Sequence, residues 1–291
     1  MGTYRIHHLT RYGYAVPVTV SLNQAHLTPR NGPYQVCLKS RLEIEPVPTV
    51  STIRPDYYDN TVTFFTIEEP HESLSISVSS VVEVSRRPFP PPPNTTPWER
   101  VRRLLVLEAS PGSVAARQFV FESELVPVHP ALAEYASRSF PPERPILEAI
   151  IDLTERIRAE FVYDPQATTI STPVAEVLAQ RRGVCQDFAH LMIGCLRSLG
   201  LAARYVSGYV LTRPPPGKER LVGGDATHAW VAVWCPGFGW IDADPTNAVL
   251  PSAEHITLAW GRDYADVSPL RGIVLGGGAQ TLAVSVDVSR A

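Results

Sequence analysis

The first third of the chain alternates polar and apolar residues in short bursts. Arg5-Ile6-His7-His8, Arg41-Leu42-Glu43-Ile44-Glu45, Thr61-Val62-Thr63-Phe64-Phe65-Thr66-Ile67, Leu74-Ser75-Ile76-Ser77-Val78 and Val81-Val82-Glu83-Val84 each run with a period of two. That spacing turns successive side chains to opposite faces, as in a half-buried strand. Pro29-Arg30-Asn31-Gly32-Pro33, Pro46-Val47-Pro48 and Asp56-Tyr57-Tyr58-Asp59-Asn60 divide the bursts with turn-forming residues. The expectation is an N-terminal antiparallel β-sandwich over residues 1–87. Pro88-Phe89-Pro90-Pro91-Pro92-Pro93-Asn94 then stiffens the backbone, because proline fixes φ and favours an extended path. It is read as a domain boundary that opens a linker with connecting helices over residues 88–144.

Beyond the linker the period lengthens. Apolar residues recur at three and four along Pro145 to Ile157, the pattern of an amphipathic helix, and Val174 to Gln180 reads as a second, shorter one. A third runs from Phe188 to Leu199 and is stopped by Gly200. Three strands follow, Ala203 to Leu211, His228 to Trp234 and Trp240 to Asp244. A polar, proline-rich excursion from Arg213 to Asp225 separates the first two, and its Pro214 to Asp225 part is read either as a cleft wall or as a solvated connection. Pro236-Gly237-Phe238-Gly239 makes a tight turn between the last two. Residues 145–265 are therefore expected to form an α+β core, a helix packed on an antiparallel sheet. Thr281 to Val288 alternates cleanly and needs a sheet to join, so residues 266–291 are expected to return to the N-terminal sandwich.

Composition narrows the function classes. In 291 residues, 44% hydrophobic and 19% charged content suits a globular chain with a sizeable core. Twenty-six basic and 29 acidic residues, spread without blocks, leave a net charge of −3, so neither nucleic acid nor an anionic membrane is expected as a partner. No apolar run approaches the roughly 20 residues that span a bilayer, and the start lacks a signal-peptide core. The myristoylation pattern suggested by Gly2 fails at the sixth position, which is Ile6. A cytoplasmic location is expected. Cys37, Cys185, Cys195 and Cys235 never form a C-x-x-C pair, so neither a zinc site nor a disulfide framework is expected, and no cofactor is.

One cysteine has a different context. Cys185 follows Gly183 and opens a helical pattern, where unpaired N–H groups and the helix dipole favour a thiolate over a thiol that otherwise titrates near 8.5. The same N–H groups suit the oxyanion of a tetrahedral intermediate, with the Cys185 amide as the candidate donor. His190 lies about 140° around the helix from Cys185, so it reads as a packing residue or as one that supports the site without reaching the sulfur. His228, which shares a strand face with Trp230, Ala232 and Trp234, is the candidate base. Asp244 is the candidate orienter: a hairpin centred on residue 236 would place it directly across from His228, with Asp242 as its rival on the same face. A thiol, an imidazole and a carboxylate in this order form a Cys-His-Asp arrangement for nucleophilic catalysis.

These residues resemble the bacterial transglutaminase-like family, cysteine-protease-like members of the papain-like superfamily. The resemblance rests on Arg182-Gly183-Val184-Cys185-Gln186-Asp187-Phe188-Ala189-His190, Ala202-Ala203-Arg204-Tyr205-Val206-Ser207-Gly208-Tyr209, Thr227-His228-Ala229-Trp230 and Gly239-Trp240-Ile241-Asp242-Ala243-Asp244-Pro245-Thr246-Asn247. His8-Leu9-Thr10-Arg11-Tyr12-Gly13-Tyr14, Pro17-Val18, Leu27-Thr28-Pro29-Arg30 and Gly261-Arg262-Asp263-Tyr264-Ala265-Asp266-Val267 extend it over nearly the whole chain. It implies a transglutaminase-like core with Cys185 as nucleophile, His228 as base and then acid, and Asp244 as orienter. It also implies acyl transfer on a peptide or protein substrate. Hydrolysis by water is preferred here over cross-linking or deamidation of glutamine, and a non-catalytic peptide-binding or scaffolding module is the alternative of another class.

Overall fold

The computed structural model describes residues 1–211 and 227–291. The excursion from Arg213 to Asp225 lies outside the described residues. The N-terminal part is built from β1 (Gly2–Ala25), β2 (Gln35–Glu45), β3 (Val50–Pro55), β4 (Thr61–Ile67) and β5 (His71–Val84). β5 runs antiparallel to the first half of β1, from Gly2 opposite Val84 to Gly13 opposite Ser73, and β4 pairs with the second half, from Ser21 opposite Ile67 to Ala25 opposite Thr63. β2 and β3 flank β5 and β4 in the same way. Each line breaks at one level: β1 shifts register between Gly13 and Val18, around Pro17, while Pro46 and Pro48 part β2 from β3 and Pro70 parts β4 from β5. Proline has no N–H for the ladder, so pairing is interrupted where prolines stand. The sheet curls across that line and encloses Ala25, Leu27, Phe65 and Ile67 from one half against Leu74, Ile76 and Val78 from the other. The expected sandwich is thus one antiparallel sheet whose strands pass from one layer into the other.

Helices α1 (Trp98–Leu107), α2 (Pro111–Arg117), α3 (Pro130–Ser137) and α4 (Ile146–Glu160) follow, then β6 (Val162–Tyr163), α5 (Val174–Gln180), β7 (Arg182–Gly183) and α6 (Cys185–Ser198). α4 buries Leu147, Ile150, Leu153 and Ile157, the three- and four-residue spacing read from the sequence. α6 is buried without a break from Asp187 to Arg197, because it lies on the core sheet and is covered by α3 and α5. That sheet comprises β8 (Ala203–Val210), β9 (Thr227–Cys235), β10 (Gly239–Ala243) and β11 (His255–Gly261), antiparallel in the order β10-β9-β8-β11. After α7 (Tyr264–Val267), β12 (Leu270–Gly276) and β13 (Gln280–Arg290) run back along β1, from Ala25 opposite Leu270 to Tyr4 opposite Arg290.

The chain's two ends therefore share one sheet. Tyr4, Ile6, Val82, Val84, Val286 and Val288 of that sheet belong to the same apolar cluster as Val101, Leu105, Leu147 and the core helices, so the proline run joins two parts with a common interior. On the other face of the core sheet, Arg204 stacks on Trp240 and Trp260 (4.2 and 3.7 Å to the ring centres), and Arg30 stacks on Trp260 at 3.6 Å. No helix among the described residues is long and apolar enough to cross a membrane.

Candidate active site

α5 ends at Arg181 in the left-handed region (φ 57°), and the chain turns through β7, parallel to β6, before Val184 starts α6. Cys185 is the first residue of α6 and is half-buried. Its amide lies in the first turn, where an N–H has no partner within the helix. Asp187 reaches back under this turn. Its Oδ2 accepts the Val184 N–H at 2.8 Å and the Thr168 hydroxyl at 2.6 Å. A Cβ on Gly183 would stand 2.6 Å from that oxygen, which is why the residue two before the cysteine has no side chain. Burial pushes the Asp187 carboxyl up, against the pull of these two bonds.

His228, near the start of β9, is buried and donates from Nε2 to Asp244 Oδ2 at 2.8 Å. Cys185 and this ring line the same cavity. Burial opposes a charged ring here, but the bond to Asp244 and the nearby Cys185 outweigh it and raise His228 to about 10. Asp244 is fully buried. Its Oδ1 accepts the N–H groups of Thr246 (2.9 Å) and Asn247 (3.2 Å), and its Oδ2 accepts Asn247 Nδ2 (2.7 Å), His228 and His255 Nε2 (3.0 Å). Burial would raise this carboxyl; the bonds from His228 and His255 hold it below the usual carboxylate range.

The expected hairpin register is corrected. Cys235 pairs with Gly239 and Asp242 with Ala232, which centres the hairpin on residue 237. Asp244, just past β10, thus continues the register opposite Trp230 and reaches the His228 ring diagonally. The physical reason is the connection, in which Pro236-Gly237-Phe238 form a three-residue loop between the paired ends. The rival carboxylate, Asp242, is engaged elsewhere: it accepts the Trp230 indole N–H at 3.3 Å and pairs with Arg87 at 2.9 Å. His190 packs as expected, buried, accepting the Tyr264 N–H at 3.1 Å.

The sequence reading did not single out His255, at the start of β11. The alternation of His255-Ile256-Thr257-Leu258 was a signal for the strand, but nothing local marks the ring as a partner of Asp244. His228, Asp244 and His255 each place one metal-ligating type of atom within 4.8 Å of the others, and these atoms are turned onto one another in the hydrogen bonds just described. A cavity of about 400 Å³ opens over the cysteine and the histidine, walled by Phe161, Tyr163, Phe188 and Asn247. A larger hollow of about 500 Å³ on the curled sheet, between Leu22, Phe64 and Ile273, is lined by no cysteine, histidine or carboxylate. All four cysteines are free. Burial drives the Cys195 and Cys235 thiols to about 12, and raises Cys37 as well.

Comparison with known proteins adds two family matches. Residues 4–83 match the bacterial transglutaminase-like N-terminal region, and residues 133–245 match the transglutaminase-like superfamily. An uncharacterised protein of Mycobacterium tuberculosis is 46% identical over 297 residues, covering 98% of this chain and 92% of its own. A protein-glutamine gamma-glutamyltransferase of Pseudomonas aeruginosa is 34% identical over 136 residues, which is 41% of this chain and 20% of that one. In fold, the chain is similar to the crystal structure of a candidate cysteine protease from Cytophaga hutchinsonii, with a TM-score of 0.76 and 19% identity over 99% of this chain and 90% of that one.

Proposed function

Because the chain belongs to the transglutaminase-like superfamily and carries its bacterial N-terminal region, we propose that Cys185, His228 and Asp244 act as a catalytic triad for thiol-dependent acyl transfer at peptide or carboxamide bonds. The observation that carries this reading is the hydrogen bond from His228 Nε2 to buried Asp244, with the His228 ring and Cys185 lining one cavity. A carboxylate on one nitrogen fixes the ring and stabilises its charged form, so a proton leaving the sulfur has a place to go.

In the proposed reaction the Cys185 sulfur adds to the substrate carbonyl carbon, and the carbonyl π electrons move to oxygen. The Cys185 N–H, at the positive end of α6, faces the oxyanion. The tetrahedral species collapses by breaking the C–N bond, and the His228 imidazolium gives its proton to the departing amine. A thioester and a neutral imidazole remain. His228 then takes a proton from an incoming water, whose oxygen attacks the thioester carbon and releases a carboxylic acid and the thiol. If an amine replaces water in the second half, the same groups form an amide. Water is the acceptor proposed here, because the cavity is open to it and none of the described residues that line it carries a carboxylate to hold an amine.

A peptide library incubated with the protein and with Cys185→Ala tests the reading by mass spectrometry. Cleaved or deamidated peptides that depend on Cys185 are expected. Incorporation of an added primary amine in their place would move the assignment to the transferase branch. Identical spectra from the two proteins would contradict acyl transfer altogether.

A further inference from the structure

The triad as proposed leaves one group beside it unused. His255 places Nε2 3.0 Å from Asp244 Oδ2, the same oxygen that receives the His228 N–H, and its side chain is 9% exposed. We propose that His255 is a positioning residue of this site, whose N–H anchors the Asp244 carboxylate and through it the His228 ring. The inference rests on the triad reading.

Topology shows what this bond does that the others do not. The Thr246 and Asn247 donors to Asp244 belong to the turn that contains Asp244, so they move with it. His255 comes from β11, whereas Asp244 follows β10, and these are the two edge strands of the sheet order β10-β9-β8-β11. Its bond therefore ties the end of one edge to the start of the other, across the strand that carries His228. The intervening strand is shaped to permit this. On β8, a Cβ at Gly208 would stand 2.1 Å from the Ile256 carbonyl and 2.5 Å from the Trp230 ring. With no side chain there, Trp230 lies over β8 and meets the His255 ring edge-on, 5.2 Å between centres. Trp230 is itself held, since its indole N–H donates to Asp242. A ring N–H that donates to a carboxylate away from water makes a charge-assisted bond with a fixed direction, which is what orients a carboxylate.

Packing alone would make a different prediction, and two substitutions separate the cases. His255→Gln keeps an N–H donor of similar reach; His255→Phe keeps a ring against Trp230 and removes the donor. The readout is the rate of Cys185 alkylation by iodoacetamide from pH 5 to 9, assigned by peptide mass spectrometry, beside the urea midpoint of each variant. His255→Phe is expected to slow alkylation at pH 6 by roughly tenfold and to move the acid limb of the profile toward that of a free thiol, whereas His255→Gln stays within about threefold of the parent. If His255→Phe is unfolded by its urea curve, His255→Met takes its place with the same expectation. A donor-free variant that alkylates like the parent overturns the inference, as does a Gln variant that loses as much as the donor-free one. His228→Ala is the separate arm for the triad: if the parent's Cys185 shows no enhanced rate at pH 6 that His228→Ala removes, the triad reading fails and takes this inference with it.

Discussion

At the scale of single residues, the site is organised around one carboxylate. Asp244 accepts five hydrogen bonds while fully buried, a combination that only an anion satisfies. Asp244→Asn keeps the shape, but it replaces one oxygen with a donor that cannot face the Nε2–H of His228. Turnover in the triad reading should fall by about 10³-fold or more, read from product formation on any peptide the library identifies. The same pairing makes a stability prediction. His228 is raised from 6.5 to about 10, so the folded state holds the proton more tightly than the unfolded one. That contribution is complete below about 6.5 and is lost as pH rises toward about 10. The urea midpoint of the parent should therefore exceed that of His228→Ala at pH 6, and the gap should shrink by pH 10. A gap that widens with pH would contradict the assigned direction. Cys185, His228 and Asp244 were legible in the sequence because each sits in a short run of distinctive residues. His255 was not, because a histidine at a strand start looks the same whether its ring meets a carboxylate or solvent.

At the scale of elements, burial explains which strands and helices the sequence revealed. α4 and α5 were legible through their apolar spacing, and α6 was legible from Phe188 onward. Most of β1 was not. Its first half buries Tyr4, Ile6, His8 and Thr10 in alternation, and its second half buries Ser21 and Asn23, so polar residues interrupt the apolar pattern that marks a strand. His8 explains itself in the structure: it bonds the Tyr209 hydroxyl of β8 at 2.8 Å and Thr10 at 3.0 Å, joining the curled sheet to the core. Burial, helped by the charge of His7, lowers it to about 4. Between about 6.5 and about 4 the unfolded chain binds this proton and the folded chain does not, so acid removes stability over that window. His8→Gln should lose less stability than the parent between pH 7.5 and 4.5, measured as urea midpoints. Equal losses would remove His8 from the acid response. The hairpin of β9 and β10 shows the limit of reading register from spacing, since moving its centre by one residue moved the position opposite Asp244 by two, from His228 to Trp230.

At the scale of the whole molecule, the two ends of the chain close one sheet over a shared interior. Proline content showed where the chain stiffens, but not that the surfaces on either side would meet. That depends on Tyr4, Ile6, Val82 and Val84 facing the core helices, which alternation alone does not assign to a partner. A single cooperative unfolding transition is expected, with fluorescence and far-UV circular dichroism superimposing in urea. Two resolved transitions would mean that the sheet and the core unfold separately. Ending the chain at Gly278 removes β13 and frees the edge of β1 from Tyr4 to Tyr14 that it covers, while β5 still pairs with the other edge. The truncated protein should aggregate on expression, as an exposed edge and an opened core predict. Trp260, stacked on Arg30 and Arg204, joins the two parts from the opposite face. Trp260→Ala should cost about 3 kcal/mol of stability.

In the proposed triad, His228 and Asp244 hold Cys185 ready as a nucleophile. Its most direct test is the alkylation rate of each cysteine at pH 6 in the folded protein. Cys185 is expected to react at least tenfold faster than Cys37, and His228→Ala to abolish the difference while Cys195 and Cys235 stay unlabelled. Equal rates at Cys185 and Cys37, unchanged by His228→Ala, would contradict it.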